Sequence, residues 1–163
     1  MNTVKRIDNY FRNVSTLKFI IWMVLLSYIV VIPIIPLLSL LESSDMNGPE
    51  SIKNAHPIIE FIAAVGIAPL IETLIFQTAI FYFLRKIQFF NDRSCLIILV
   101  SALAFGMAHT YSILYILFGF LIGLILAYAY HLSYDRPNSP FKIIVCVHAL
   151  RNFIAFLLLY LNI

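Results

Sequence analysis

Long apolar runs alternate with short polar stretches along this chain. The runs cover about residues 17–41, 57–84, 95–109, 111–133 and 141 to the C-terminus. Most of them approach the roughly 20 residues that a helix needs to cross a bilayer. None shows the short apolar/polar alternation of a transmembrane strand, which argues against a barrel. The pattern predicts an all-α membrane protein, a polytopic helical bundle with about five transmembrane helices. It divides into an N-terminal polar segment (1–16), a first membrane anchor (17–41) and a core of the remaining spans (57–163). Pro33 and Pro36 are expected to kink or end the first span, and Pro69 or Gly66 to break the long second one. Gly119 and Gly123 form a GxxxG pair, and Ala102 with Gly106 repeats the spacing. Small residues at that interval let membrane helices approach closely.

Composition reinforces the class. The 163 residues are 62% hydrophobic and 12% charged, whereas an ordinary soluble domain is about a quarter charged. The polar N-terminal segment runs into an apolar block too long for a signal-peptide core, so it reads as an anchor and not a cleaved leader. The charges set a topology. Of the 11 Lys and Arg residues, Arg151 lies inside a span and Lys53 falls in the loop between the first two. The other nine (Lys5, Arg6, Arg12, Lys18, Arg85, Lys86, Arg93, Arg136 and Lys142) all fall on the opposite side. This positive-inside bias predicts a cytoplasmic N-terminus and an outward C-terminus. The net charge of +3 is therefore topological and gives no support to nucleic-acid binding. Cys95 and Cys146 form neither a CxxC motif nor a disulfide framework and are expected to be buried thiols.

Polar side chains inside the runs are few: Glu60, Glu72, Gln77, His109, His148, Arg151 and Asn152. A charged group at a helix centre costs roughly 2.5 to 3.5 kcal/mol on insertion scales, so such residues read as functional by default. His148 and Asn152 share a helix face at i, i+4, as do Phe105 and His109. At 1.5 Å per residue, Glu72 and His109 lie roughly 20 and 21 Å along their helices, and His148 and Asn152 roughly 10 and 16 Å along theirs. Three helices can thus bring a carboxylate, two imidazoles and a carboxamide into one layer. Amide hydrolysis wants that set: Glu72 as general base, His109 orienting water or protonating the leaving amine, His148 and Asn152 as oxyanion donors. Two histidines and a carboxylate (Glu72, His109, His148) also compose an open zinc site, and spacing does not separate the two readings. Glu60, His56 and His131 read as interfacial or loop residues. Arg151 reads as a bonded residue inside the bundle, with Glu72 as one candidate partner.

Glu72 with Thr73 and Gln77, the FxxxH ending at His109 and the HxxxN from His148 to Asn152 resemble the ordered motifs of the CPBP family. These are the CAAX prenyl protease and bacteriocin-processing membrane proteins, also called Abi proteins. The likeness runs from about Pro57 to the C-terminus. It implies an intramembrane endopeptidase of the glutamate type that needs no cofactor, although some relatives have been described as metalloproteases. Glu72 and His109 would activate water, and His148 and Asn152 would hold the oxyanion. The implied partners are the lipid bilayer and a peptide or membrane-anchored protein substrate. The implied settings are CAAX-type processing or bacteriocin immunity, with a bacterial plasma membrane as the expected location. The first motif departs from the family's EExxxR: Thr73 and Gln77 stand where a glutamate and an arginine are usual. At i, i+4 they are expected to form a neutral hydrogen-bonding pair supporting Glu72. Two alternatives follow from the same residues, a non-catalytic membrane binding or immunity protein and a small proton-coupled transporter. No inverted repeat supports the second.

Overall fold

The computed structural model describes residues 3–34, 36 and 56–161, and the described residues form an all-helical bundle. Six helices follow in order: α1 (Thr3–Asn13), α2 (Thr16–Ile29), α3 (Pro57–Leu84), α4 (Ser94–Met107), α5 (Ile113–Ser133) and α6 (Pro140–Leu161). Among the described residues four segments are long and apolar enough to cross a membrane: Thr16–Ile34, Pro57–Leu84, Ile113–Ser133 and Pro140–Leu161. The protein is therefore an integral membrane protein of the polytopic class the hydropathy pattern predicts. The outward face of α3 carries Leu70, Ile71, Leu74 and Ile75, all exposed, as a lipid-facing surface should.

The third predicted span, about residues 95–109, forms a helix too short for a full crossing. α4 has 14 residues and rises about 21 Å, less than the roughly 30 Å hydrocarbon core. A helix of that length starting at a membrane surface beside Arg93 would end inside the bilayer; the chain turns after Met107 before α5 begins. Non-helical backbone at that depth is tolerated where it lines a cavity, and His109 and Tyr111 of this turn do line one.

Pro69 does not break α3, and neither does Gly66. The helix instead widens into two π-helical stretches, Ile62–Ile67 and Thr73–Ala79, on either side of a short α-helical segment, Ala68–Glu72. The Ala68 N–H bonds back to the Ala63 carbonyl, so the register has already slipped where proline's missing N–H would have interrupted it. Single π turns of this kind cluster at functional sites. α2 ends at Ile29, and a 3-10 turn over Ile32–Ile34 contains Pro33, as expected before a proline. The loop carrying Glu42, Asp45, Glu50 and Lys53 lies outside the described residues.

The polar N-terminal segment contains a helix that its composition conceals. In α1, Val4, Ile7 and Phe11 recur at helical spacing, and Phe11 is buried edge-on against Phe19. The segment is tied to the end of α5 by polar contacts. Tyr128 Oη donates to Asp8, Arg12 pairs with Asp135, and Arg136 Nη2 donates to the carbonyls of Phe11 and Val14. His131, expected to be a bystander, has Arg12 and Arg85 within 3.2 and 3.4 Å of its two ring nitrogens. His56 caps α3, its Nδ1 accepting from the Ile58 N–H, and Tyr160 Oη donates to Glu60.

α4 and α5 form the closest helix pair, and the predicted small residues meet there. A Cβ on Gly123 would lie 3.1 Å from Ala102 Cα, and one on Gly119 would lie 3.3 Å from Gly106 Cα. One on Gly106 would lie 2.8 Å from backbone atoms of Ile116 and Phe120. The two thiols correct the sequence reading: Cys95 and Cys146 are exposed, not buried. On a membrane helix a thiol behaves as a small hydrophobe, so a lipid-facing position costs it little.

Candidate active site

The polar residues of α3, α4 and α6 surround one cavity of about 190 Å³, which Glu72, His109, His148, Arg151 and Asn152 all line. A polar cavity of that size admits water. The larger apolar hollow, bounded by α1, Leu26 and Tyr128, holds none of these groups.

Each side chain is placed by its own element. Glu72 closes the short α segment between the two π stretches and keeps 25% of its side-chain surface open. Its Oε2 lies 3.5 Å from Nε2 of His148, which is buried at 3% exposure on α6. The carboxylate therefore meets the second histidine directly, not Arg151. His109 stands two residues beyond α4, and its Nδ1 is 2.7 Å from the Phe105 carbonyl. A carbonyl only accepts, so Nδ1 carries the proton and Nε2 keeps its lone pair as a base or water acceptor. The Phe105 ring touches both imidazoles, with centroids 4.7 Å from His109 and 5.7 Å from His148.

Asn152 is held at both ends. Its Nδ2 donates to the Ala64 carbonyl at 2.8 Å, and its Oδ1 accepts from Arg151 Nη1 at 3.3 Å. Among the described residues the other N–H of the carboxamide has no acceptor. Ala64 belongs to the first π stretch of α3, so the irregular backbone of α3 fixes a residue of α6. Tyr28 Oη of α2 donates to the Arg151 carbonyl at 2.7 Å and ties the anchor helix to the same point.

Thr73 and Gln77 lie elsewhere. Both are fully buried, and among the described residues Thr73 Oγ1 and both Gln77 amide atoms have no hydrogen-bond partner. The expected bond between them is not made. Both sit in the second π stretch, where the α-helical i, i+4 alignment on which the pairing relied no longer holds.

Among the described residues no three His, Cys, Asp or Glu side chains group closely enough to hold a metal ion. Glu72 and His148 meet, and His109, with its Nδ1 at the Phe105 carbonyl, keeps Nε2 available.

Sequence reasoning underrates two residues, Tyr115 and Arg151. Tyr115 stacks its ring 5.7 Å from His109, and nothing in its composition or spacing marks it. Arg151 is detectable as a charge inside a span, three residues after His148 and so on a neighbouring part of the same helix face.

No curated protein and no solved structure matches this chain. Residues 54–154 match the family described as Type II CAAX prenyl endopeptidase Rce1-like. The match takes in well over half of the 163 residues and every polar group around the cavity. The chain therefore belongs to the Type II CAAX prenyl endopeptidase Rce1-like family, a family of CAAX-type intramembrane proteases.

Proposed function

We propose that this protein hydrolyses a peptide bond inside the membrane by a metal-free, glutamate-type mechanism. One observation carries the reading: Glu72 of α3 stands 3.5 Å from His148 of α6, with His109 and Asn152 lining the same small cavity. Water held between Glu72 and the free Nε2 of His109 attacks the scissile carbonyl carbon. Glu72 takes the water proton as the C–O bond forms, and the carbonyl π electrons move onto oxygen. His148 and the uncommitted N–H of Asn152 donate to that oxyanion, a role in which each lost donor typically costs about 100- to 1000-fold in rate. The proton then passes from Glu72, directly or by way of His109 Nε2, to the leaving nitrogen as the C–N bond breaks. The products are a carboxylate and an amine.

The N-terminus is assigned to the cytoplasm and the C-terminus to the outside, from the distribution of Lys and Arg. The setting that fits the family is CAAX-type processing or immunity to a secreted bacteriocin, in a bacterial plasma membrane. A second reading, a binding or immunity protein without turnover, draws support from Thr73 and Gln77. They replace the usual charged residues of the first motif, and the replacements make no hydrogen bond among the described residues. A mass-spectrometric search separates the two. Reconstituted wild type, with and without chelator, is compared with Glu72→Ala for peptides cut only by the wild type. The hydrolytic reading expects wild-type fragments that persist in chelator. Absence of fragments with retained protection against a toxin would favour binding.

A further inference from the structure

Arg151 is the unusual group of this bundle. It is 7% exposed on a membrane-spanning helix and lines the cavity beside Asn152. A guanidinium stays charged in proteins and carries five N–H donors. Among the described residues the two ion pairs are Arg12 with Asp135 and His148 with Glu72, so Arg151 has no acidic partner. Nη1 donates to Asn152 Oδ1 at 3.3 Å, and Nε has no hydrogen-bond partner. The rings of Tyr28 and Phe118 lie 5.4 and 5.3 Å from its Cζ. Those faces accommodate a cation without supplying a counter-charge. A buried charge without a partner is strongly destabilising, and the bundle holds this one at the wall of its reaction cavity. Arg151 is not among the residues that carry the family resemblance.

We propose that Arg151 is the receptor for a carboxylate on the substrate, holding it by charge-assisted hydrogen bonds while the adjacent bond is cut. The proposal rests on the hydrolytic reading for the word substrate, though not for the binding event. A planar guanidinium matches a carboxylate in two parallel bonds, and a carboxylate supplies the charge that a neutral carbonyl cannot. At about 190 Å³ the cavity is small, so the carboxylate belongs close to the scissile bond. It is either the free C-terminus of the peptide or an Asp or Glu side chain.

The test measures binding on full-length Glu72→Gln protein in nanodiscs, where turnover does not intrude. The probes are acetylated tri-leucine as the free acid, the same peptide as its C-terminal amide, and an acetylated Leu-Asp-Leu amide. A charge-assisted contact predicts that the free acid binds about 10- to 100-fold more tightly than the amide. That preference should vanish in Arg151→Gln and survive in part in Arg151→Lys. If the aspartyl amide matches the free acid, the site takes a side-chain carboxylate as well as a terminus. If neither the free acid nor the aspartyl amide binds more tightly than the tri-leucine amide, with Arg151 intact, the proposal is overturned, and no Arg151 variant has to fold for that result. If the acid preference depends on Arg151 but wild type makes no fragments, the receptor stands and the hydrolytic reading falls. If wild type makes fragments but neither carboxylate probe is preferred, hydrolysis stands and the receptor falls.

Discussion

Replacing Gly106 by alanine probes how α4 is held where it presents His109. A Cβ at this position lies 2.8 Å from Ile116 O and Phe120 N and 2.9 Å from Phe120 Cβ. Two of these are backbone atoms of α5, so no side-chain rotation relieves the contact. Reaching the 3.4 Å at which ordinary contact begins requires the helices to part by about 0.6 Å, the difference of 3.4 and 2.8. A gap of that size forfeits a quarter to a half of the dispersion well for the remaining atoms along the seam. Overpacking of this kind typically costs about 1–3 kcal/mol, and the better helix propensity of alanine returns up to about 1 kcal/mol. The net expectation is a loss of about 1–2 kcal/mol. Gly66→Ala is the matched control, because a Cβ there meets nothing within 4 Å and should be neutral or mildly stabilising. Detergent-solubilised protein unfolded reversibly by sodium dodecyl sulfate, followed by circular dichroism, gives both free energies. Equal stability of the two variants would show that α4 and α5 do not approach this closely.

Gln77→Leu removes a fully buried amide with no partner among the described residues. It should leave stability unchanged or raise it by about 1 kcal/mol, since an unmatched buried polar group costs about that much or more. A loss above that amount in the same unfolding assay would reveal a bond that Gln77 makes. Asn152→Leu removes the bond to Ala64 and the remaining oxyanion donor. It should lower kcat by about 100- to 1000-fold with a smaller change in KM, and a wild-type kcat would remove Asn152 from the mechanism. Arg136→Met strips the cap from the Phe11 and Val14 carbonyls. Each lost bond to a charged donor is worth about 1.5–3 kcal/mol, so α1 should become susceptible to limited proteolysis while α2 to α6 stay protected. Unchanged resistance of α1 would count against this anchoring.

The spans are legible because lipid imposes a length and a polarity that hydropathy reads directly. α1 escapes because its three apolar residues are diluted among charged ones, so the average hides the period of Val4, Ile7 and Phe11. α4 resembles a full span in sequence because apolar composition does not report where a helix stops; its helix ends at Met107. The π stretches of α3 leave no mark in residue type. They depend on how Pro69 and the neighbouring helices settle the register. For the site, spacing puts His148 and Asn152 on one face, and depth puts Glu72 level with His109. Neither fixes how each helix is rotated about its axis. That rotation decides that Glu72 meets His148, that Asn152 leans on Ala64, and that Arg151 has no carboxylate partner among the described residues.

The most direct test of the account is single-turnover cleavage in ¹⁸O-labelled water by reconstituted wild type and Glu72→Gln, with the new C-terminus analysed by mass spectrometry. Glutamate-type hydrolysis predicts label in the carboxylate released by the wild type, and a rate in Glu72→Gln lower by at least about 100-fold, the low end for losing a positioned base. Labelled product from Glu72→Gln at the wild-type rate would contradict it.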